Sequence, residues 1–368
     1  RLEGHAKDPI TAGLSLDAVS GWISGTVSAL IGEYPVSVVV QDNHGNIDSK
    51  SFNWTVSPAN SNPEQPPEPA LAPAMSASSS SSSVGATAAD FSVSESGGAT
   101  YSMPILTAPG SGGVVPQVSL NYSSHAGNGD VGVGWSLGGV SAITLCPQTT
   151  EQDGIAGSKG IGLTGEDRFC LDGQRLVADA ASGAYGGNGT QYRTEIDNFS
   201  RITSYGTVGN GPAWFRVERK DGAVVEYGNS ADSGIEARGS KAPETRFVWA
   251  QNRFEDQHGN YILYNYLENA SGPVGYALQS IDYTGNIRAG TLPTARLSFF
   301  YGDRDAEADL TYSYFAGVKV EQRYLLRSIR SQARVLAGSP LVDLRFYELN
   351  YEQDGVGRTI LTALTECR

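Results

Sequence analysis

Residues 126–139 read AGNGDVGVGWSLGG, and the fold turns on how this stretch is understood. Six of its fourteen residues are glycine, and one tryptophan, Trp135, sits among them. Gly127, Gly129 and Gly132 satisfy G-x-G-x-x-G, the dinucleotide-binding pattern. That pattern holds a phosphate only where a helix opens directly after the glycines, so that its first N–H groups meet the anion. Here Gly132 is followed by Val-Gly-Trp-Ser-Leu-Gly-Gly and then by an alternating run. The segment is therefore expected to turn a β-chain. Asn128-Gly129 reads as the turn, and Gly132 and Gly134 as places where backbones approach closely. Trp135 reads as an anchor plugging the sheet beneath. No cofactor is expected.

Strand signals surround this stretch. Val114 to Tyr122 carries Val118, Leu120 and Tyr122 at alternate positions, and Val140 to Leu145 follows the glycines. Phe169 to Val177 reads as a hairpin on Asp172-Gly173, and Trp214 to Tyr227 as another on Asp221-Gly222. Long strands fit 323–336 and 341–351, joined by 337–340. A D-x-x-G-N theme recurs at Asp42–Asn46, Asp256–Asn260 and Asp282–Asn286 and reads as a turn each time. Trp135, Tyr122, Trp214 and Tyr264 are expected to pack in the core.

Composition agrees. The chain has 368 residues, 45 of them glycine and 18 tyrosine, with only 18% charged. That favours a β-rich, turn-rich protein over a helical one. The formal net charge of −13 argues against nucleic acid and anionic lipid as partners. No run of eighteen apolar residues exists, so no membrane-spanning helix is expected. Of the three cysteines, Cys146 and Cys170 lie on candidate strands and can pair in an oxidising compartment. Cys367 is left over. The chain begins at Arg1 inside a β-pattern, without an apolar leader, and stops at LTALTECR after a strand-like run. It is expected to be an interior piece of a longer protein.

Three parts are expected. Residues 1–57 form a small β-unit, with Tyr34 to Val40 and Phe52 to Val56 as paired strands. Residues 58–90, PANSNPEQPPEPALAPAM followed by a serine run, form a disordered linker. Residues 91–368 form the main body. The pattern GLSLD…SGWISGT…GEYPVSVVVQDNHGN resembles the immunoglobulin-like (cadherin-like) domains of bacterial surface proteins, with the first strand missing. Some relatives of that superfamily bind calcium. Asp17, Asp42, Asp48 and Glu33 form no dense ladder of ligands here and read as turn residues.

The main body carries an ordered motif series. VSESGGATYSMPIL, PQVSLNYSSHAGNGDVGVGWSLGG, DRFCLDGQRLV, QYRTEIDNFSRITSYG and DGAVVEYG follow one another. The series resembles the N-terminal domain shared by the Salmonella plasmid virulence B protein (SpvB), the B subunits of insecticidal toxin complexes (TcB) and many Rhs/YD-repeat proteins. Its most specific part comprises Pro116, Leu120, Tyr122, Asn128, Gly129, Gly132, Gly134, Trp135, Ser136 and Leu137. The resemblance implies a mainly β fold: a truncated Ig-like sandwich, a linker, then a large shell-forming domain built of hairpins. It also implies a secreted or surface protein whose β-shell encloses a toxic C-terminal polypeptide. The partner would be that effector or a toxin-complex subunit.

Catalytic constellations are not found. The virulence B protein carries an ADP-ribosyltransferase that needs Glu-x-Glu, and no Glu-x-Glu occurs here. His5, His44, His125 and His258 have no metal-ligand spacing, and His125 is expected to hydrogen-bond within its loop. No Walker A sequence is present. Asp303, Asp305, Glu307 and Asp309 alternate and read as a solvated acidic loop. A non-catalytic structural module is the expected function. The alternative is an extracellular adhesion or glycan-binding protein, suggested by the Ig-like unit and the abundant aromatics.

Overall fold

In the computed structural model, residues 88–238, 244–269, 272–304, 309–335 and 338–367 are described with their side chains. Of the first 87 residues it describes the backbone of five strands. The chain divides into two compact units, 1–81 and 82–368.

In the first unit, β1 (Leu2–Glu3), β4 (Gly32–Gln41) and β5 (Ile47–Val56) form an antiparallel sheet, with β4 in the middle. β2 (Leu14–Leu16) and β3 (Ile23–Gly25) form a separate pair. Gln41 stands opposite Ile47 and Val36 opposite Phe52. The turn read at Asp42–Asn46 lies outside the described residues, as do Asp17, His5, His44 and residues 58–87.

The second unit opens with β6 (Asp90–Val93), whose first residue falls within the stretch read as linker. β7 (Ala99–Pro104), β8 (Ser119–Ser123) and β11 (Trp135–Gly138) join it in a small antiparallel sheet. Between β8 and β11 lies a two-rung hairpin, β9 (Asn128–Gly129) with β10 (Gly132–Val133). The ladder of β8 starts five residues later than Val114. A 3-10 turn occupies Ser111–Gly113, and Pro116 has no N–H to give a ladder. Met103 and Leu120 stand opposite each other and are both buried.

Nine strands follow: β12 (Ala142–Cys146), β13 (Arg168–Leu171), β14 (Gln174–Ala178), β15 (Gln191–Thr194), β16 (Arg201–Tyr205), β17 (Trp214–Glu218), β18 (Val224–Tyr227), β19 (Gly234–Ala237) and β20 (Thr245–Glu255). Each of β12 to β17 pairs with the next, β18 pairs with β20, and β20 returns to β12. Eight strands thus close into a barrel. The first hairpin reading holds: Asp172 and Gly173 both take positive φ, 48° and 82°, in a two-residue loop between Leu171 and Gln174. The second hairpin has a longer loop, with Gly222 alone at positive φ and Arg219 N–H closing on Ala223 O at 2.9 Å.

Trp249 fills the barrel. It is wholly buried and meets Phe169 and Phe215 edge to face, with centroids 5.4 and 5.2 Å away. Its indole N–H donates to Pro212 O at 3.0 Å. Gly228, at φ 74°, passes so close that a Cβ there would sit 2.5 Å from the indole. Trp249 is thus the buried plug, whereas Trp135 packs against the edge of the other core and is only partly buried. Trp135 is half-buried on the small sheet, between Tyr101 at 6.1 Å and Tyr122 at 5.4 Å. Trp214 is likewise half-buried and stacks on Tyr205 at 4.3 Å. Tyr264 is buried in the core.

From β20 an open sheet continues through β21 (Asn260–Glu268), β22 (Tyr276–Asn286), β23 (Ala295–Asp303), β26 (Tyr324–Arg334), β27 (Leu341–Gln353) and β28 (Thr359–Cys367). A short hairpin, β24 (Thr311–Phe315) with β25 (Val318–Gln322), is inserted before β26. Leu120, Val131, Ile281, Leu297, Ile329 and Tyr347 belong to the core shared by the small sheet and this one. The Asp256–Asn260 motif makes the expected turn, with Asp256 Oδ1 accepting from His258 N–H and Asn260 N–H, both at 2.8 Å. Asp282–Asn286 does not turn. It lies inside β22, where Asp282 accepts from Arg296 at 2.6 and 2.9 Å.

The sulfurs of Cys146 on β12 and Cys170 on β13 are bonded, with Cα atoms 5.9 Å apart. Cys367 is free and exposed.

Trp249→Ala should lower the stability of the second unit by about 3–5 kcal/mol in urea unfolding, the usual cost of emptying a core aromatic site. Trp135→Ala should cost only about 1–2 kcal/mol, because it removes less area from water. Removing the bridge, as Cys146→Ala/Cys170→Ala, should cost about 2–4 kcal/mol in the same assay.

Candidate functional site: the glycine hairpin and its clasp

The stretch 126–139 leads from β8 through a tight hairpin into β11, and no helix opens after its glycines. The turn sits one step later than Asn128-Gly129. Those two residues are the first strand of the hairpin, paired with Val133 and Gly132, and Asp130-Val131 turns between them. Gly132 and Gly134 take φ of 89° and 79°. A Cβ on Gly132 would meet Thr359 O at 2.8 Å, and one on Gly134 the Tyr122 ring at 2.4 Å. Both glycines are therefore required by backbone conformation and by close approach. Pro116 and Leu120 are buried, Leu137 half-buried, and Ser136 exposed.

A buried polar cluster grips the hairpin tip. Arg304, just past β23, is buried together with Asp309. Its guanidinium donates to Asp309 and to Gly129 O. Asp309 Oδ1 also accepts from Asn128 Nδ2 at 2.8 Å and from Thr359 N–H at 3.3 Å, and its other oxygen from the Thr359 hydroxyl. Leu326 N–H donates to Asp130 O at 2.8 Å, and Gln322 Nε2 to Asp130 Oδ1 at 2.9 Å. Four distant segments thus converge on residues 128–132. Asp309 is no part of a solvated acidic loop. It satisfies a buried arginine, while Asp303 stays exposed and pairs with Arg323 at 3.1 Å. Asp305 and Glu307 lie outside the described residues.

Sequence inspection picked out Asn128, Gly129 and Gly132, misread Asp309 as solvated, and missed Arg304, Gln322 and Thr359. The one available signal was Arg304 inside the acidic run DRDAEAD, a lone cation among carboxylates.

The hairpin also borders a cavity of about 580 Å³ that opens to solvent, lined by Asp130 and several tyrosines. Burial raises the Asp130 carboxyl above the usual range, against the opposing pull of Gln322 and Arg304. Burial pushes Tyr276 up to about 12, with the Asp130 charge adding to it, and lifts Tyr301 well above its usual value for the same reasons. His125 is exposed, with its Nδ1 3.4 Å from Ser96 Oγ. Among the described residues, no three His, Cys, Asp or Glu side chains come together to hold a metal. No described helix is long and apolar enough to cross a membrane.

The geometry defines a class: a mainly β scaffold in which a closed barrel runs on into an open sheet, locked by a glycine hairpin. Residues 93–322 match the model of the Salmonella virulence plasmid 65kDa B protein family, SpvB, and the chain belongs to that family. Residues 9–57 match the model of an Ig domain family.

Solved structures share the fold. The N-terminal domain of effector protein SpvB from Salmonella typhimurium is 19% identical, with a TM-score of 0.56 over 72% of this chain and 99% of that one. The crystal structure of TcdB2-TccC3 is 19% identical, with a TM-score of 0.59 over 77% of this chain and 16% of that one. The Photorhabdus luminescens Tc holotoxin pore is 18% identical, with a TM-score of 0.58 over 77% of this chain and 15% of that one. The chain therefore spans about a sixth of the length of the TcdB2-TccC3 chain. No curated protein matches in sequence.

Arg304→Ala should cost about 3–5 kcal/mol in urea unfolding, because it leaves the Asp309 carboxylate buried and unpaired. A double-mutant cycle with Asp309→Ala should give strong coupling, the second substitution costing far less than the first.

Proposed function

We propose that residues 91–368 are a non-catalytic wall segment of a secreted or surface-displayed toxin-complex-type protein. The segment helps form a β-shell around a C-terminal toxic polypeptide of the same chain or of a partner subunit. Residues 1–57 serve as an Ig-like display or spacer unit, and 58–90 as the linker. Family membership supports this reading, and so does likeness of fold to the SpvB and Tc structures.

The open sheet is the observation that carries it. Among the described strands, β28 pairs with β27 alone. Past Thr359, whose N–H is taken by Asp309, its second edge carries N–H and C=O groups outside any described ladder, which is a template for further pairing. Leu297, Phe299, Ile329, Tyr347 and Leu349 fill one face of this sheet. On the other face Arg330 lies between Phe300 and Phe346, 5.0 and 5.4 Å from their ring centroids, and Phe300 is exposed. A sheet with one face packed and one free, and with an edge open to further pairing, has the physical properties of a wall.

Electron microscopy of the full-length parent should show a closed volume, with β28 paired on both edges. The enclosed polypeptide should resist a protease that digests it once the shell is opened by denaturant. A parent without enclosed volume, or with a freely digested C-terminal part, would overturn the proposal.

A further inference from the structure

The cavity beside the glycine hairpin has features that a plain packing defect does not need. Its volume of about 580 Å³ is that of a small-molecule site. Tyr266, Tyr276, Tyr301 and Tyr324 line it, with Asp130 and Glu321 as its carboxylates. Three of the tyrosines have their hydroxyls tied back into the frame. Tyr266 donates to Gln251 O, Tyr301 to Leu278 O and Tyr324 to Asn269 Oδ1, each at 2.8 Å. Their rings are thereby fixed as walls.

The carboxylates are not spent in the same way. Asp130 is enclosed by protein on most sides yet keeps surface toward the cavity. One of its oxygens accepts from Gln322, and no described residue donates to the other. Neither Asp130 nor Glu321 forms an ion pair among the described residues. The nearby cations are engaged elsewhere: Arg304 with Asp309 and Gly129 O, and Arg323 with Asp303. At the rim, Tyr312 already holds a cation, with Lys319 Nζ 4.4 Å above its ring.

Tyrosine rings and carboxylates outside any described ion pair, set around one space, are complementary to a positive charge on an apolar stem. The geometry points to a binding site for an alkylammonium or alkylguanidinium group. That chemistry occurs in small free amines and in the Lys and Arg side chains of a polypeptide.

Calorimetric titration of the full chain tests it, with n-butylammonium, n-butylguanidinium and the neutral isostere n-butanol as probes. Both cations should bind saturably and the alcohol should not. Asp130→Asn, which keeps an acceptor for Gln322, should weaken binding by about tenfold or more, as expected for a lost hydrogen bond to a charged group. Glu321→Gln should weaken it as well, and Glu166→Gln, at a remote exposed carboxylate, should leave it unchanged. An acetylated Gly-Gly-Lys-Gly-Gly peptide separates the sources. Binding tighter than butylammonium assigns the site to a polypeptide side chain, and equal or weaker binding assigns it to a free amine. Cation and alcohol binding alike, no binding of any probe, or full binding in both Asp130→Asn and Glu321→Gln would overturn the assignment. Should Asp130→Asn fail to fold, the alcohol comparison on the unaltered chain and Glu321→Gln still decide.

Discussion

Strand β20 hydrogen-bonds along both of its edges and belongs to two sheets at once. Its first half pairs with β12 and β19, and its second half with β18 and β21. The barrel closes on it and the open sheet starts from it. This double duty explains its composition. From Thr245 to Asn252 all but one of its residues are buried, the near-continuous burial of a strand covered on both faces. Trp249 lies at its middle, where Ile143 of β12 and Gly234 of β19 are its two neighbours in register. A charge on an inward position of this strand would disturb the barrel and the sheet together.

The clasp solves a second problem. The small sheet lies early in the chain and covers strands formed from residues 280–350. Apolar packing is non-directional and does not fix one sheet's rotation on the other. The Arg304–Asp309 pair supplies direction. Arg304 donates to the backbone carbonyl of Gly129 and Asp309 accepts from the side-chain amide of Asn128, so both must lie at the right places, and Gly132 allows the backbone to reach Thr359. A buried ion pair gains little net energy over an apolar substitute, and its best-attested value lies in specifying register.

Local chemistry was the most legible layer of the sequence. Asp172-Gly173 fixes a two-residue hairpin because both residues accept positive φ, and the alternation of Val118 and Leu120 gives the buried face. What escaped is what depends on distant partners. The Asp282–Asn286 motif has the letters of a turn, yet the ladders to β21 and β23 hold Asp282 in a strand. Trp135 stands in the most distinctive motif and is half-buried, whereas Trp249, in the plain run RFVWAQN, fills the barrel. Nothing in residues 142–146 announces a pairing with 248–250, so closure of the barrel could not be read. The acidic run was misjudged for the same reason: Asp309 is buried by Asn128 and Thr359, which lie 181 and 50 residues away.

The order in which these partners leave the ribosome follows from that separation. Asn128 bonds a residue 181 positions later, and Asp130 one 192 positions later. At about 5–20 residues per second, they wait roughly ten to forty seconds for their partners to be synthesised. Through that interval the glycine hairpin is a nascent segment with unsatisfied amides, and the small sheet is an apolar face without a cover. The barrel, complete once β20 has emerged, can assemble first and serve as the template on which the later strands are laid. The last act of synthesis over this region is then the arrival of Thr359, which seals the earliest part of the unit into place.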